Sequence, residues 1–222
     1  MIVAIHQPHY MPWLGYFDKM GRADVFVFLD TVQFKKNEFQ NRNKVKGPNG
    51  AIWLTVPIYQ HFGQKISGVT INNTVNWRQK HIKTLYTNYR KSPHFDRYFN
   101  IFEDFLSKPW EKLSDLNIAC VKMIASLLGI EVQYLIASEL GITSDNRDMR
   151  LIEIIKKVGG GRYIAGSGGK EYMNLALYKK EEIAVEFQDF AHPRYPQLFD
   201  DFIPGLSAID YLCNVGERFY TG

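Results

Sequence analysis

The sequence predicts an α/β fold, with a mostly parallel central sheet, flanking helices and a central helical insertion. Three observations lead there. Short apolar runs of strand length stand at Met1–Ile5 and Val25–Leu29. The second half alternates strand-like and helix-like segments, the pattern of crossover units in a parallel sheet. Between them, at about residues 76–129, apolar side chains recur every three to four positions. With 222 residues, 45% of them hydrophobic, the chain can bury one substantial core, so a single domain over 1–222 is expected.

The elements follow in order. Met1–Ile5 is a first strand, and a helix begins near Trp13 and runs to Met20, with Pro12 where its missing N–H costs little. Val25-Phe26-Val27-Phe28-Leu29 is continuously apolar, as befits a central strand covered on both faces, and Asp30 ends it. Residues 31–49 are polar and basic, closing on a turn at Lys46-Gly47-Pro48-Asn49-Gly50. A strand over Ala51–Ile58 is interrupted by Pro57, which favours an edge or strand end, and Val69–Ile71 is another short strand. Helices are expected at Trp77–Tyr89, Phe95–Leu106 and Lys112–Leu128, separated by Pro93 and Pro109 and inserted between two halves of the sheet. Strands at Glu131–Ile136, Arg162–Ala165 and Ala184–Phe187 alternate with a helix over Met149–Val158, and a last helix spans Ser207–Cys213.

Composition narrows the function classes. A net charge of +4 suits anionic partners such as nucleotides or phosphorylated sugars without choosing among them. No apolar window approaches bilayer-spanning length and the start lacks a basic leader, so a cytoplasmic location is expected. Cys120 and Cys213 form neither a disulfide framework nor a zinc-binding spacing and read as buried hydrophobes. Without an HExxH-type cluster a metal site is not expected, and without RRM, KH or zinc-finger patterns nucleic-acid binding is disfavoured.

Four segments carry candidate chemistry. His6 and His9 follow the first strand, where a turn can aim both rings at a ligand beyond the strand ends, for acid–base work or phosphate contact; equally, they can brace the loop. Asp30 would emerge at the same sheet edge if its strand neighbours the first, to orient a substrate or cap a turn. In the basic segment, Asn41 and Arg42 offer amide and guanidinium donors for phosphate or sugar. Ala165-Gly166-Ser167-Gly168-Gly169-Lys170-Glu171-Tyr172 could wrap an anion with Ser167 and Lys170, act as a lid, or simply turn; it departs from the Walker A pattern. His192 and Arg194 lie in the proline-stiffened His192-Pro193-Arg194-Tyr195-Pro196, which suits a pocket wall or a packed loop, and Ser207 with Asp210 has the spacing of a capping box.

His6-Gln7-Pro8-His9-Tyr10-Met11-Pro12-Trp13-Leu14-Gly15-Tyr16-Phe17, Asp30-Thr31-Val32-Gln33-Phe34, Asn41-Arg42-Asn43, the Gly166–Tyr172 loop, Phe187-Gln188, His192-Pro193-Arg194-Tyr195 and Leu206–Gly216 together resemble the WbqC-like family over nearly the whole chain. That resemblance implies a place in bacterial surface-polysaccharide (O-antigen) biosynthesis and the modification of activated amino sugars. The expected activity is a transferase or ligase for acyl or aminoacyl transfer to a nucleotide-linked amino sugar, using ATP or a preactivated acyl donor. Two alternatives stand beside it: ATP-dependent nucleotidyl transfer or carboxylate activation, and non-catalytic binding of a nucleotide sugar. The opening strand, histidine loop and helix also resemble a remote HIGH-type nucleotide-binding fold, which implies phosphate contacts for His6 and His9, although the HxGH spacing is absent.

Overall fold

The computed structural model describes residues 1–216 and Phe219. Five strands, β1 (Ile2–His6), β2 (Val25–Phe28), β7 (Gln133–Ile136), β8 (Arg162–Ala165) and β9 (Ala184–Phe187), form one sheet in the order β7-β2-β1-β8-β9. All four pairings are parallel. The chain walks outward from β1 through β2 to β7, then crosses back to lay β8 and β9 on the far side of β1. The strand order therefore reverses between β1 and β8.

Side-chain alternation along the buried strands divides the interior into two layers. Val3 and Ile5 of β1 and Val25 and Val27 of β2 pack with Leu151, Ile152, Ile154 and Ile155 of α5 (Arg147–Lys157) and Tyr178 of α6 (Leu175–Lys180). Ala4, Phe26 and Phe28 face the opposite way, onto Leu14, Phe17 and Met20 of α1 (Leu14–Gly21) and the larger cluster beyond it. Both faces of the sheet are covered, which is why these strands read as continuous apolar runs.

The crossover from β2 to β7 holds the insertion. It contains α2 (Trp77–Tyr89), α3 (Phe95–Ser107) and α4 (Leu113–Leu127), preceded by two small antiparallel pairs: β3 (Arg42–Gly47) with β4 (Gly50–Thr55), and β5 (Ile58–Tyr59) with β6 (Thr70–Ile71). The insertion thus joins two neighbouring strands and does not separate halves of the sheet. The strand over 42–47 lies in the segment that reads only as polar and basic. Its inward positions Asn43 and Val45 are buried while Arg42 and Lys44 are partly exposed, so one apolar residue marks the alternation.

The last helix, α7 (Ala208–Val215), begins at Ser207, whose hydroxyl accepts from the Ile209 amide at 3.3 Å. Asp210 does not complete a capping box. Its carboxylate, wholly buried, accepts from Tyr89 at 2.8 Å, Tyr195 at 2.8 Å and Gln197 at 2.9 Å. Among the described residues, no helix is long and apolar enough to cross a membrane.

Candidate functional site

In an open parallel sheet, the loops leaving two strands on either side of a strand-order reversal diverge and leave a crevice at their carboxyl ends. Here that crevice is a cavity of about 550 Å³ between β1 and β8. Ile5, His6 and His9 line it from the β1 side, Tyr163, Ala165, Gly166 and Gly169 from the β8 side, and Arg147 and Arg150 from the first turn of α5. Lys19 of α1, Gln33 and Lys35 after β2, and Tyr172 complete the polar and charged lining. Among the described residues, no carboxylate lines it.

The loop after β1 is held by packing and backbone bonds. The Tyr10 amide donates to the Phe39 carbonyl at 3.0 Å, Asn43 Nδ2 donates to the carbonyls of Tyr10 and Met11, and Asn117 Nδ2 donates to those of Pro8 and Gln40. Gly15 is required because a Cβ there would lie 2.3 Å from the Trp13 ring, which folds back over the helix start. So anchored, the loop sets the His6 and His9 rings edge to face, with centroids 4.7 Å apart and Tyr16 beside both.

His6 Nδ1 lies 3.1 Å from the Gln7 carbonyl, which only accepts, so Nδ1 carries the hydrogen and Nε2 keeps the lone pair. Burial, then the neighbouring His9 and Lys19, push the His6 imidazole well below its usual range. Burial and Lys19 lower His9 to about 3. Both rings are neutral near pH 7.

Lys19 is the group that sequence reading missed. Only 2% exposed, it donates from Nζ to the Ile5 carbonyl at 2.7 Å and sits 5.7 Å from the Tyr163 ring centroid. Desolvation brings its ammonium down to about 7. In the sequence it looks like the basic half of an exposed Asp18-Lys19 pair; the available signal was its place three residues after Tyr16 and four after Gly15, on the helix face that packs inward.

The other expected residues fall elsewhere. Asp30 is buried beside the sheet edge, but its two oxygens accept from the Ser138 amide at 2.9 Å and hydroxyl at 2.6 Å, fixing the turn after β7. Arg42 lies on the β3–β4 hairpin, 4.2 Å from the Trp53 ring centroid, and is not among the residues that line the cavity. Asn41 is committed through Nδ2 to the Val56 carbonyl at 3.0 Å. Ser167 and Lys170 are exposed on the short 3-10 turn Ser167–Glu171, while Gly169 within it and Gly166 just before it form the cavity wall.

His192 stacks on Trp13 at 6.2 Å and donates from Nδ1 to the Pro193 carbonyl at 2.9 Å. Arg194 is exposed and lines a separate depression of about 410 Å³ with Tyr195, Gln197 and Asp200. The structure thus brings His6 and His9 together with Lys19, Arg147 and Arg150, and leaves Asp30, Asn41, Arg42, Ser167, Lys170, His192 and Arg194 outside the cavity lining. Cys120 is buried, its thiol pushed up to about 12, as expected of a core cysteine. Among the described residues, no group of three or more His, Cys, Asp or Glu side chains is placed to hold a metal.

Fold and site define a doubly wound α/β protein whose cavity at the strand-order reversal is basic and imidazole-lined. The chain belongs to the WbqC-like protein family, whose model matches residues 7–220. It is 32% identical over 220 residues to a protein of Mycobacterium tuberculosis named Uncharacterized protein Rv1507c, covering 97% of this chain and 94% of that one. No solved structure matches it.

Proposed function

We propose that the protein is a transferase or ligase that modifies an activated amino sugar, holding the phosphate-bearing part of its substrate in the crevice between β1 and β8. The observation that carries this reading is the cavity's composition: Lys19, Lys35, Arg147 and Arg150 line it with two neutral imidazoles, and among the described residues no acid does. Such a lining attracts an anion and leaves an attacking amine free to meet a base. The amine nitrogen bonds to the acyl carbon as the bond to the donor's leaving group breaks and that group departs with the electron pair. The His6 Nε2 lone pair, or His9, accepts the proton the amine loses and can pass it to the leaving group, and the cationic groups balance the charge of the phosphate. Asp30 supports the site by fixing the Ser138 turn. The role in surface-polysaccharide synthesis rests on the family resemblance.

The strand order favours a second reading, ATP-dependent nucleotidyl transfer or carboxylate activation of the kind a HIGH-type fold performs. Crevices at such reversals take nucleotides, and the first turn of α5 adds two arginines beside the helix N-terminus.

A mass-spectrometric conversion screen separates these readings, with nucleotide-linked amino sugars supplied alongside acyl donors, or alongside ATP and carboxylates. Amino-sugar transfer predicts a sugar nucleotide gaining the acyl mass, with turnover falling at least about 100-fold in His9→Ala. Pyrophosphate release before any sugar is modified favours the second reading. Tight binding without turnover across all donors supports a non-catalytic binding protein, and neither binding nor conversion removes the crevice as the site.

A further inference from the structure

We propose that Lys19, beside His6 and His9, is the seat of a phosphate or diphosphate group, and that the protein takes up a proton as this group enters. The inference rests on the crevice being the binding site and adds which charge recognises the ligand and how pH governs it.

The Lys19 ammonium shares the crevice with side chains from the elements that wall it. From β1 and its loop come His6 and His9; from α1, Tyr16; from the segment after β2, Gln33 and Lys35; from α5, Arg147 and Arg150; from β8, Tyr163; and from the following turn, Tyr172. All are basic or neutral. Acids near the crevice are held by other groups: Asp18 by Gln188 at 2.7 Å and Arg22 at 3.8 Å, Asp30 by Ser138, Asp148 by Tyr178 at 3.2 Å and Arg147 at 3.9 Å, and Asp145 by Arg150 at 4.0 Å; among the described residues none pairs with Lys19. Nζ has three donor positions, of which the Ile5 carbonyl takes one. A buried lysine without a counter-ion is unfavourable while the site is empty, and a multiply charged anion supplies that counter-ion.

Because burial holds Lys19 at about 7, an empty site above that pH is mostly uncharged at Nζ. An entering phosphate restores the charged form, and the proton comes from solvent. Arg147 and Arg150 are permanent cations that cannot contribute to this uptake. His9, lowered to about 3, stays neutral over the same range unless the anion raises it far.

The test is calorimetry with ADP at pH 7.5 and 9, where its diphosphate keeps its charge, in two buffers of different ionisation heat. Uptake close to one proton is expected near pH 8, and affinity should weaken about twentyfold from pH 7.5 to 9. Lys19→Arg, a permanent cation, should bind with a nearly flat pH profile, and Lys19→Met should lose ADP binding while retaining a cooperative thermal transition. A flat wild-type profile with no buffer-dependent heat overturns the proton uptake while leaving the crevice as a nucleotide site. An undiminished pH slope in Lys19→Arg or Lys19→Met overturns the assignment to Lys19. Wild-type protein that binds neither ADP nor any nucleotide-linked sugar overturns both this inference and the functional reading beneath it. Should Lys19→Met fail to fold, the wild-type slope and its loss in Lys19→Arg decide the question.

Discussion

A lysine buried without an acid partner opposes folding, and Lys19 does so next to two imidazoles that burial also holds neutral. The sign is fixed by proton counting. The Lys19 ammonium titrates at about 7 in the folded protein and near 10.5 when unfolded, so between those values the unfolded chain holds the extra proton and stability rises with pH. Lys19→Met should therefore melt higher than wild type at pH 7, with the gap closing towards pH 10.5. For His9, folded at about 3 against 6.5 unfolded, stability is lost as pH falls through that window. His9→Asn should flatten the acid limb of a stability profile measured by denaturant titration; a limb of unchanged slope would show that the ring is not buried as described. His6 and His9 were legible because two imidazoles directly after an apolar strand stand at a sheet edge whatever the details. Lys19 was not, because burial of a charge depends on which helix face packs inward.

At the scale of elements, the loop from His6 to Trp13 keeps its shape through the helix that follows it. Gly15→Ala would drive a methyl into the Trp13 ring and so disturb the Trp13–His192 stack, costing about 1–3 kcal/mol by differential scanning calorimetry. Because Trp13 leads directly into α1, which carries Lys19, this variant should also weaken ligand binding. Sequence periodicity located most helices and strands, since their apolar spacing is local. It did not locate β3, where partly exposed Arg42 and Lys44 alternate with buried Asn43 and Val45, because a buried asparagine looks polar until its backbone partners are known. Nor could spacing show that Asp210, set at a capping position, turns away from its own helix.

Across the whole molecule, Asp210 ties distant segments together. Tyr89 of α2 donates to its carboxylate and accepts from the Lys46 amide of β3 at 2.8 Å, while Tyr195 and Gln197 bind it from the loop before α7. Buried Lys46 reaches Gln197 Oε1 at 3.3 Å, bringing a second charge into the network. Asp210→Ala would leave these donors unpaired and should lower the unfolding free energy by roughly 3 kcal/mol in urea titration. The α/β class was legible from the alternation of elements, whereas the side of β1 taken by β8 was not, because strand order is set by long-range pairing. That unseen reversal creates the crevice, and the crevice gathers His6, His9 and Lys19. A crystal structure with a nucleotide-linked amino sugar bound tests this most directly: its phosphates should lie within hydrogen-bonding distance of Lys19 Nζ and the His6 or His9 ring, between β1 and β8. Phosphates seated instead against Arg194 and Gln197, with the crevice empty, would contradict it.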